Sequence, residues 1–312
     1  MTWNSGFFHY FCERASSVRA GAEERPAVCG APIPGPSRAN ANDGNSGTVM
    51  IRTLFTAVVA LMAWTLQAQE TGMLTDRGRH REANEDHCDT FVAGTGRVCV
   101  VCDGVGGAVG GSLASGVAVE TFRDWFARNE VGPGVGDIEA GLSDAMRAAD
   151  EAIARRIAAD STLRGMATTC LLAFIRSDTL WYSHAGDCRL YAFSGGRPVQ
   201  LTEDDSYMDI LIAEGEITPR EARRYPLRRA IVNALGVEEM VPHFSGSGYP
   251  LRDGELLVMC SDGLYEELSA ARMKRILRRG RNDSCDRIAR TLVEKANEAG
   301  GGDNISVIVI RK

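Results

Sequence analysis

The sequence predicts an α+β fold in which two β-sheets lie against each other and helices cover their outer faces. Two observations support this prediction. Runs rich in β-forming residues occur in clusters, and amphipathic helices stand between the clusters in pairs, whereas a parallel sheet would require one helix after each strand. The composition, with 44% hydrophobic and 24% charged residues among 312, is typical of globular domains and excludes a chain that is disordered throughout.

The N-terminal 72 residues lack this pattern. Residues 1–49 are rich in turn formers without periodicity, which predicts a disordered extension. A short apolar segment follows at 50–72, and its apolar run, 54–66, is shorter than the roughly 20 residues that span a bilayer. Two interpretations remain open: a signal-like or anchoring segment, or a mis-assigned start, because two internal methionines could each initiate the chain. The folded domain is expected over 73–312.

The elements of that domain follow from their periodicity. Apolar residues at helical spacing predict two long helices over 111–128 and 137–158. A further helix is expected over 285–297, with Asp283 or Ser284 as its N-cap. Strands are predicted at 97–102, 168–175, 179–184, 189–193, 255–260 and 305–310.

Charge and cysteine content narrow the expected partners. The formal net charge is -6, from 35 basic and 41 acidic residues, so the sequence predicts neither a nucleic-acid partner nor binding to an anionic membrane. Membrane contact is expected only if residues 50–72 are retained, through 54–66. Nine cysteines scattered along the chain are expected to be thiols, which favours a reducing compartment and a cytoplasmic catalytic domain.

Acidic residues recur beside glycine where apolar strands end. The pairs are Asp103-Gly104, Gly186-Asp187, Asp262-Gly263 and Gly302-Asp303, and Glu85 and Asp86 lie in a further acidic segment. An aspartate that follows a buried strand lies at the rim of the core, where glycine lets the backbone and a ligand approach closely. We therefore expect these six carboxylates to converge on one sheet edge.

Such a cluster requires a cation, because each carboxylate raises the pKa of its neighbours. Oxygen ligands favour Mg²⁺ or Mn²⁺, and zinc is disfavoured because no cysteine or histidine cluster has ligand spacing. Two such ions would activate water for in-line attack on phosphorus. Arg81, four residues before Glu85, offers a planar fork for a phosphate. The alternative for any single Asp-Gly pair is an ordinary turn.

A cysteine-based phosphatase is a weaker interpretation. Cys170 and Arg176 have the spacing of that chemistry, but the five residues between them are predicted to form a buried strand. A cysteine nucleophile needs a glycine-bearing loop around the phosphate and a lowered thiol pKa.

Taken in order, the motifs resemble those of the metal-dependent serine/threonine phosphatases of the type 2C (PPM) family, in its bacterial single-domain form. The similarity covers nearly all of 73–312. It rests on segments 75–79 and 81–86, 103–107 (DGVGG), 165–169, 186–189 (GDCR), 201–204 (LTED), 234–236, 261–264 (SDGL) and 303–307 (DNISV).

The resemblance implies a four-layer α/β/β/α sandwich of two antiparallel sheets flanked by helix pairs, with two core Mg²⁺ or Mn²⁺ ions at one end. The residue roles that it implies are as follows: Asp103 bridges the ions, the carboxylate of Glu85 and the carbonyl of Gly104 assist, Asp262 and Asp303 complete the pair, Asp187 with Asp262 takes a weaker third ion, Asp86 holds water, and Arg81 holds the phosphate.

By the same resemblance the chain hydrolyses phosphoserine and phosphothreonine through a metal-activated water, without a phosphoenzyme. Its expected partners are phosphoproteins made by a serine/threonine kinase, and the chain is expected to be a monomer. The alternative is a non-catalytic phospho-binding or regulatory module on the same fold.

Several residues depart from the family pattern. Val105 stands where some relatives have a histidine, and Asp205, Tyr225 and Asn233 replace usual flap residues within 203–233. These departures bear on substrate selection more than on chemistry. The flap also carries Arg220, Arg223, Arg224, Arg228 and Arg229. This run gives the hypothesis of a preference for acidic residues near the phosphosite, and a solvated helix face is its plainer interpretation.

Overall fold

Two antiparallel sheets account for the strands of the computed structural model, which describes residues 69–106, 110–222, 225 and 230–312. The first sheet has the order β1-β11-β10-β6-β7, and the second has the order β2-β3-β4-β5-β8, with β9 also paired to β5. The strands are β1 Glu70–Asp76, β2 Asp86–Ala93, β3 Gly96–Val105, β4 Ala167–Arg176, β5 Thr179–Ala185, β6 Arg189–Phe193, β7 Val199–Gln200, β8 His243–Phe244, β9 Tyr249–Pro250, β10 Leu256–Cys260 and β11 Ile305–Arg311.

Helices cover both outer faces. They are α1 Gly110–Arg128, α2 Val135–Ala159, α3 Tyr207–Ala213, α4 Pro219–Ala222, α5 Asp262–Glu267, α6 Ala270–Arg279 and α7 Cys285–Ala299, with a 3₁₀ turn at Ser161–Leu163. Helices α1 and α2 pack on the second sheet, and α5, α6 and α7 pack on the first. The α/β/β/α sandwich predicted from the sequence is therefore confirmed.

The core has three layers because the central strands are buried on both faces. Between the sheets, Val101 and Leu171 pack against Met259 and Ile308. On the other face of β3, Val100 belongs to the layer beneath α1 and α2. Burial on both faces explains why these strands are continuous apolar runs in the sequence.

The predicted helices and strands are present with small shifts at their ends. Ser284 is the N-cap of α7, since its Oγ accepts a hydrogen bond from the backbone N–H of Arg287 at 3.3 Å. The elements that were not predicted are strands β1, β2, β7, β8 and β9 and helices α3, α4, α5 and α6. Strand β2 lies at a sheet edge and is only partly buried, and α6 buries only Met273 and Leu277, so neither carries a strong apolar pattern.

The first strand begins three residues before the expected domain start at Met73. Glu70 pairs with Arg311 in the β1–β11 ladder, and its Oε1 accepts a hydrogen bond from Cys285 N at 2.8 Å. The expectations for 1–49 and for 50–68 fall outside the described residues. Within the described part of the chain, no helix combines the length and apolarity needed to cross a bilayer.

Candidate active site

Six acidic residues, Glu85 and five aspartates, meet at one end of the two sheets. Asp86 begins β2 and lies opposite Asp103 of β3 in the strand register. Asp262 follows β10 and begins α5, while Asp303 lies just before β11. Asp187 lies in the turn between β5 and β6. Antiparallel neighbours bring strand starts and strand ends to the same edge, as the sequence predicted.

The charges of these carboxylates act on one another. Asp103 is half-buried, and burial of its carboxylate together with the charges of Asp86, Asp262, Asp187 and Asp303 raises its pKa well above the ordinary value. Burial also raises the pKa of Asp262, with further contributions from Asp187 and Asp303. Such an edge is strongly anionic whenever its carboxylates are ionised, and a nearby cation stabilises it.

Three of the carboxylates have a buried oxygen whose hydrogen-bonding capacity is unsatisfied within the described residues. Oδ1 of Asp86, Asp187 and Asp262 is buried and has no hydrogen-bond partner among the described residues. Burial raises the pKa of both Asp86 and Asp187 to about 6. A buried polar atom without a partner lowers the stability of the fold. Carboxylate oxygens are preferred ligands of hard divalent cations, so such a cation would satisfy these atoms. The donor set therefore fits Mg²⁺ or Mn²⁺.

Glu85 and Gly104 approach each other at the start of α1. A methyl group placed on Gly111 would lie 2.5 Å from Oε2 of Glu85 and 2.9 Å from the carbonyl oxygen of Gly104. The absence of a side chain at Gly111 thus leaves room for a carboxylate and a carbonyl to point at a common space. Gly107, the last residue of the DGVGG motif, lies outside the described residues.

Arg81 lies at the rim of this edge. Its guanidinium Nη2 donates to Oδ2 of Asp303 at 2.5 Å, and 45% of the side chain is exposed. Burial acts to lower the pKa of Arg81, but Asp303, Glu85 and Asp103 outweigh it and the pKa is raised. This cation is therefore near three of the carboxylates and is open to an anion from solvent.

Among the described residues, no three histidine, cysteine, aspartate or glutamate side chains are grouped tightly enough to ligate one ion as they stand. Several of their oxygens have protein partners instead. Asp303 pairs with Arg81, Oδ2 of Asp86 accepts from Ser261 Oγ at 2.7 Å, and Oδ2 of Asp187 accepts from Tyr265 Oη at 3.0 Å. The carboxylates share one edge and one electrostatic field, but they are not drawn around a single point.

Sequence reasoning missed the residues that hold Asp187. Tyr265 Oη donates to Asp187, and the guanidinium of Arg189 lies 3.5 Å above the centre of the Tyr265 ring. Arg189 in turn donates to both carboxylate oxygens of Asp204. The GDCR and LTED motifs therefore serve to orient one aspartate. The signal was the pairing of an arginine in one motif with an aspartate in the next.

Asn304 was also missed as a positioning residue. Its Oδ1 accepts the backbone N–H of Glu85 at 2.9 Å, and its Nδ2 donates to the carbonyls of Arg77 and Ala83 at 2.8 and 2.9 Å. One buried amide thus fixes the segment that carries Arg81 and Glu85 against the start of β11.

The departures at the base of the flap form one buried network. Asp205 Oδ2 accepts hydrogen bonds from Asn233 Nδ2 at 2.8 Å and from the N–H of Gly186 at 3.0 Å, and Oδ1 lies 2.9 Å from His243 Nε2. Asp205 and Asn233, which both differ from the family pattern, are therefore direct partners. They tie the flap to the turn that carries Asp187.

The fold and this acidic edge define the class of the protein, a sandwich of two sheets with the architecture of metal-dependent phosphatases. The sequence matches the protein phosphatase 2C family over residues 76–295, and the chain belongs to this family.

Individual relatives agree with this assignment. The serine/threonine phosphatase stp of Listeria innocua is 32% identical over 239 residues, which cover 76% of this chain and 94% of the relative. The serine/threonine protein phosphatase PstP of Mycobacterium tuberculosis is 34% identical over 235 residues, which cover 75% of this chain. The match spans only 43% of that relative's length. A crystal structure of the PstP catalytic domain in complex with two manganese ions superposes with a TM-score of 0.66 at 29% identity, covering 78% of this chain and 97% of the other.

Proposed function

We propose that the chain is a metal-dependent phosphatase that hydrolyses phosphoserine and phosphothreonine in proteins. The observation that carries the proposal is the convergence of Asp86, Asp103, Asp187, Asp262 and Asp303 at one sheet edge. In the described part of the chain, the buried Oδ1 atoms of Asp86, Asp187 and Asp262 have no hydrogen-bond partner. The names of the relatives and the manganese-bound structure of PstP support the same activity.

Each residue has a proposed role. The core ions would be held by Asp103, Asp262, Asp303, the Glu85 carboxylate and the Gly104 carbonyl, and Asp187 with Asp262 would take a weaker third ion. When bound, these Mg²⁺ or Mn²⁺ ions activate water and neutralise charge that develops on the phosphate.

The surrounding side chains would bind and orient the reactants. Arg81 exchanges its contact with Asp303 for a bidentate contact to the phosphate, because its side chain is half exposed. Asp86 Oδ1 orients the attacking water, and Ser261 holds the other oxygen of Asp86 in place. The side chain of Val105 has no ionisable group that could donate a proton, so the leaving alkoxide takes its proton from water.

The finer expectations are proposals as well. Substrates would be phosphoproteins made by a serine/threonine kinase, and the domain would act as a cytoplasmic monomer. The described cysteines are free thiols, which supports a reducing compartment. Membrane contact would require residues 50–72 to be retained.

Aryl phosphate hydrolysis by the full chain tests the proposal directly. We expect turnover with added Mn²⁺ and complete loss of turnover with a chelator, followed by recovery when Mn²⁺ is restored. The alternative function, a phospho-binding or regulatory module, would give binding of a phosphopeptide without hydrolysis under every metal condition.

A further inference from the structure

A groove runs between α6 and α7 on the outer face of the first sheet. It encloses about 480 Å³, and its floor includes Ile276 and Ile288. Residues Arg272, Arg275 and Arg279 form one wall, and Arg287 and Lys295 form the other. The spacing of the three arginines, three and four residues apart, puts them on one face of α6.

The charge of this helical pair opposes the charge of the chain. Residues 270–299 contain nine basic and four acidic side chains, while the whole chain has a net charge of -6. The net charge of the chain therefore predicted no basic surface. The basic residues form one because the packing of the two helices places them around a single groove. A local basic surface on an acidic protein directs an acidic partner to one position.

The cations of α6 are available to a ligand. Within the described residues, the guanidinium groups of Arg272, Arg275 and Arg279 have neither a hydrogen-bond nor an ion-pair partner, and all three residues are exposed. On the opposite wall, Arg287 lies 3.7 Å from Asp283, and Lys295 pairs with Glu298 at 2.5 Å. An anionic ligand would thus meet three cations that no carboxylate neutralises.

One end of the groove lies beside the acidic edge. Leu268, which follows α5, and Ala299, the last residue of α7, both line it. Helix α5 begins at Asp262, and Asp303 lies four residues after Ala299. Gly302 N donates to Oε1 of Glu267 at 3.0 Å, which joins the two chain segments there. A polypeptide in the groove can therefore continue toward the proposed phosphate site.

We propose that the groove between α6 and α7 binds an acidic segment of the phosphoprotein substrate. This inference rests on the proposed function for the identity of the partner, whereas the groove itself is independent of it. A concave channel between two helices suits a peptide better than a flat lipid surface. None of the exposed large apolar residues of the described chain lies in the groove, so nothing there would insert into a bilayer.

The length of the groove sets the length of the bound segment. Helix α7 has 15 residues, so the channel beside it is about 22 Å long at 1.5 Å per residue. An extended peptide of about seven residues covers that distance. The probe is therefore a fluorescent peptide of about seven glutamates, with a glutamine peptide of equal length as its neutral partner.

Charge reversal with a matched control tests the groove. The variant Arg272→Glu/Arg275→Glu/Arg279→Glu of the full chain should weaken binding of the glutamate peptide at least about tenfold at low ionic strength, because three attractions become repulsions. The control Lys274→Glu/Arg278→Glu/Arg290→Glu makes the same change of charge on the same helices outside the groove. We expect its affinity to stay within about twofold of the parent, a spread that corresponds to about 0.4 kcal/mol.

The neutral variant Arg272→Gln/Arg275→Gln/Arg279→Gln guards against misfolding and should give an intermediate loss of affinity. Equal losses in the groove and control variants would overturn the proposal, since only overall charge would then matter. Preference of the parent chain for anionic vesicles over the peptide would also overturn it, in favour of a membrane.

Catalysis gives a second measurement. With a phosphothreonine peptide that carries the glutamate tail, kcat/KM relative to the glutamine-tailed peptide should fall in the groove variant and persist in the control variant. Neither variant alters the flap arginines. If the flap were the origin of the preference for the glutamate tail, the ratio of kcat/KM values would be the same in the groove variant as in the parent. That result would overturn the proposal that the groove binds the tail. Failure of the parent chain to hydrolyse aryl phosphate would contradict the proposed function, while direct peptide binding would still decide the groove.

Discussion

Asp103 is the residue whose pKa is affected by the largest number of neighbouring carboxylates in the site. The residue is half-buried, and its pKa is raised by burial of the carboxylate and by four other aspartates. Its carbonyl also accepts a hydrogen bond from Thr168 Oγ1 at 2.8 Å, which fixes the backbone at this point of β3. The backbone at Asp103 is therefore held in place, and the negative charge around its side chain would be offset by a bound cation.

Replacement of Asp103 by asparagine tests its proposed role. Asp103→Asn keeps the shape but removes the charge that would bridge two ions, so we expect kcat for aryl phosphate to fall by at least about 100-fold, as when one electrostatic element of a transition state is lost. The matched control is Asp124→Asn on the exposed face of α1, where Asp124 forms an exposed ion pair with Arg128. Parent-like turnover in Asp103→Asn would contradict the assignment.

Asp205 makes a different contribution, to stability. Burial acts to raise its pKa, but His243, the N–H of Gly186 and Asn233 outweigh burial, so the pKa lies below the ordinary value. An acid with a lowered folded pKa stabilises the fold fully above the unfolded pKa of about 3.9 and loses that contribution as the pH falls through the folded pKa. The network is thus a source of stability at neutral pH.

The corresponding variant is Asp205→Asn. We expect a lower free energy of unfolding than the parent at about pH 7, and a smaller difference at a pH below the lowered folded pKa of Asp205, where the parent side chain is also neutral. Urea unfolding at both pH values measures this. Asp253→Asn, at a side chain that is 95% exposed, should differ little from the parent at either pH. A difference for Asp205→Asn that stays constant with pH would show that the charge does not matter.

Among the elements, helix α1 has glycine at its second position, Gly111, for a steric reason. A Cβ on Gly111 would meet the Glu85 carboxylate and the backbone of Gly104, so the helix can approach β3 only if this position lacks a side chain. Intrinsic helix propensity favours alanine over glycine by about 1 kcal/mol. Glycine at position 111 therefore lowers the local stability of the helix but leaves space for the Glu85 carboxylate.

The variant Gly111→Ala separates these two effects. We expect the Mn²⁺ concentration for half-maximal activity to rise at least about tenfold, the scale seen when supports of metal ligands are disturbed. Gly136→Ala in α2 is the control, because a Cβ there meets nothing within 4 Å, and it should leave the Mn²⁺ requirement unchanged. An unchanged requirement in Gly111→Ala would mean that Glu85 does not assist the ions.

Over the whole molecule, the two sheets depend on the layer between them. Strand β11 lies between β1 and β10, and Ile308 is completely buried against the second sheet. The same strand begins two residues after Asp303. Packing between the sheets therefore fixes the position of the acidic edge as well as the stability of the fold.

Truncation of Ile308 tests this dependence. Ile308→Ala leaves a cavity in a close-packed layer and should lower the free energy of unfolding by about 2–5 kcal/mol. Val92→Ala, at an edge-strand side chain that is 54% exposed, should change it by about 0.5 kcal/mol or less. Urea unfolding of both variants provides the comparison, and equal effects would contradict the central role of this layer.

The sequence by itself determined the class of fold, the central strands and long helices, and the set of acidic residues at strand ends. These features depend on local periodicity and on the burial of both faces of a strand, which a linear pattern records. Strand β2 and helix α6 escaped prediction because partial burial weakens that pattern.

Tertiary structure alone decided which side chains support the site. Asn304 and Glu85 are separated by 219 positions and are joined by one hydrogen bond, and the arginines of α6 form a groove only because α7 packs beside them. Hydrogen bonds and electrostatic fields depend on distance in space, and only the packing of the sheets and helices sets that distance.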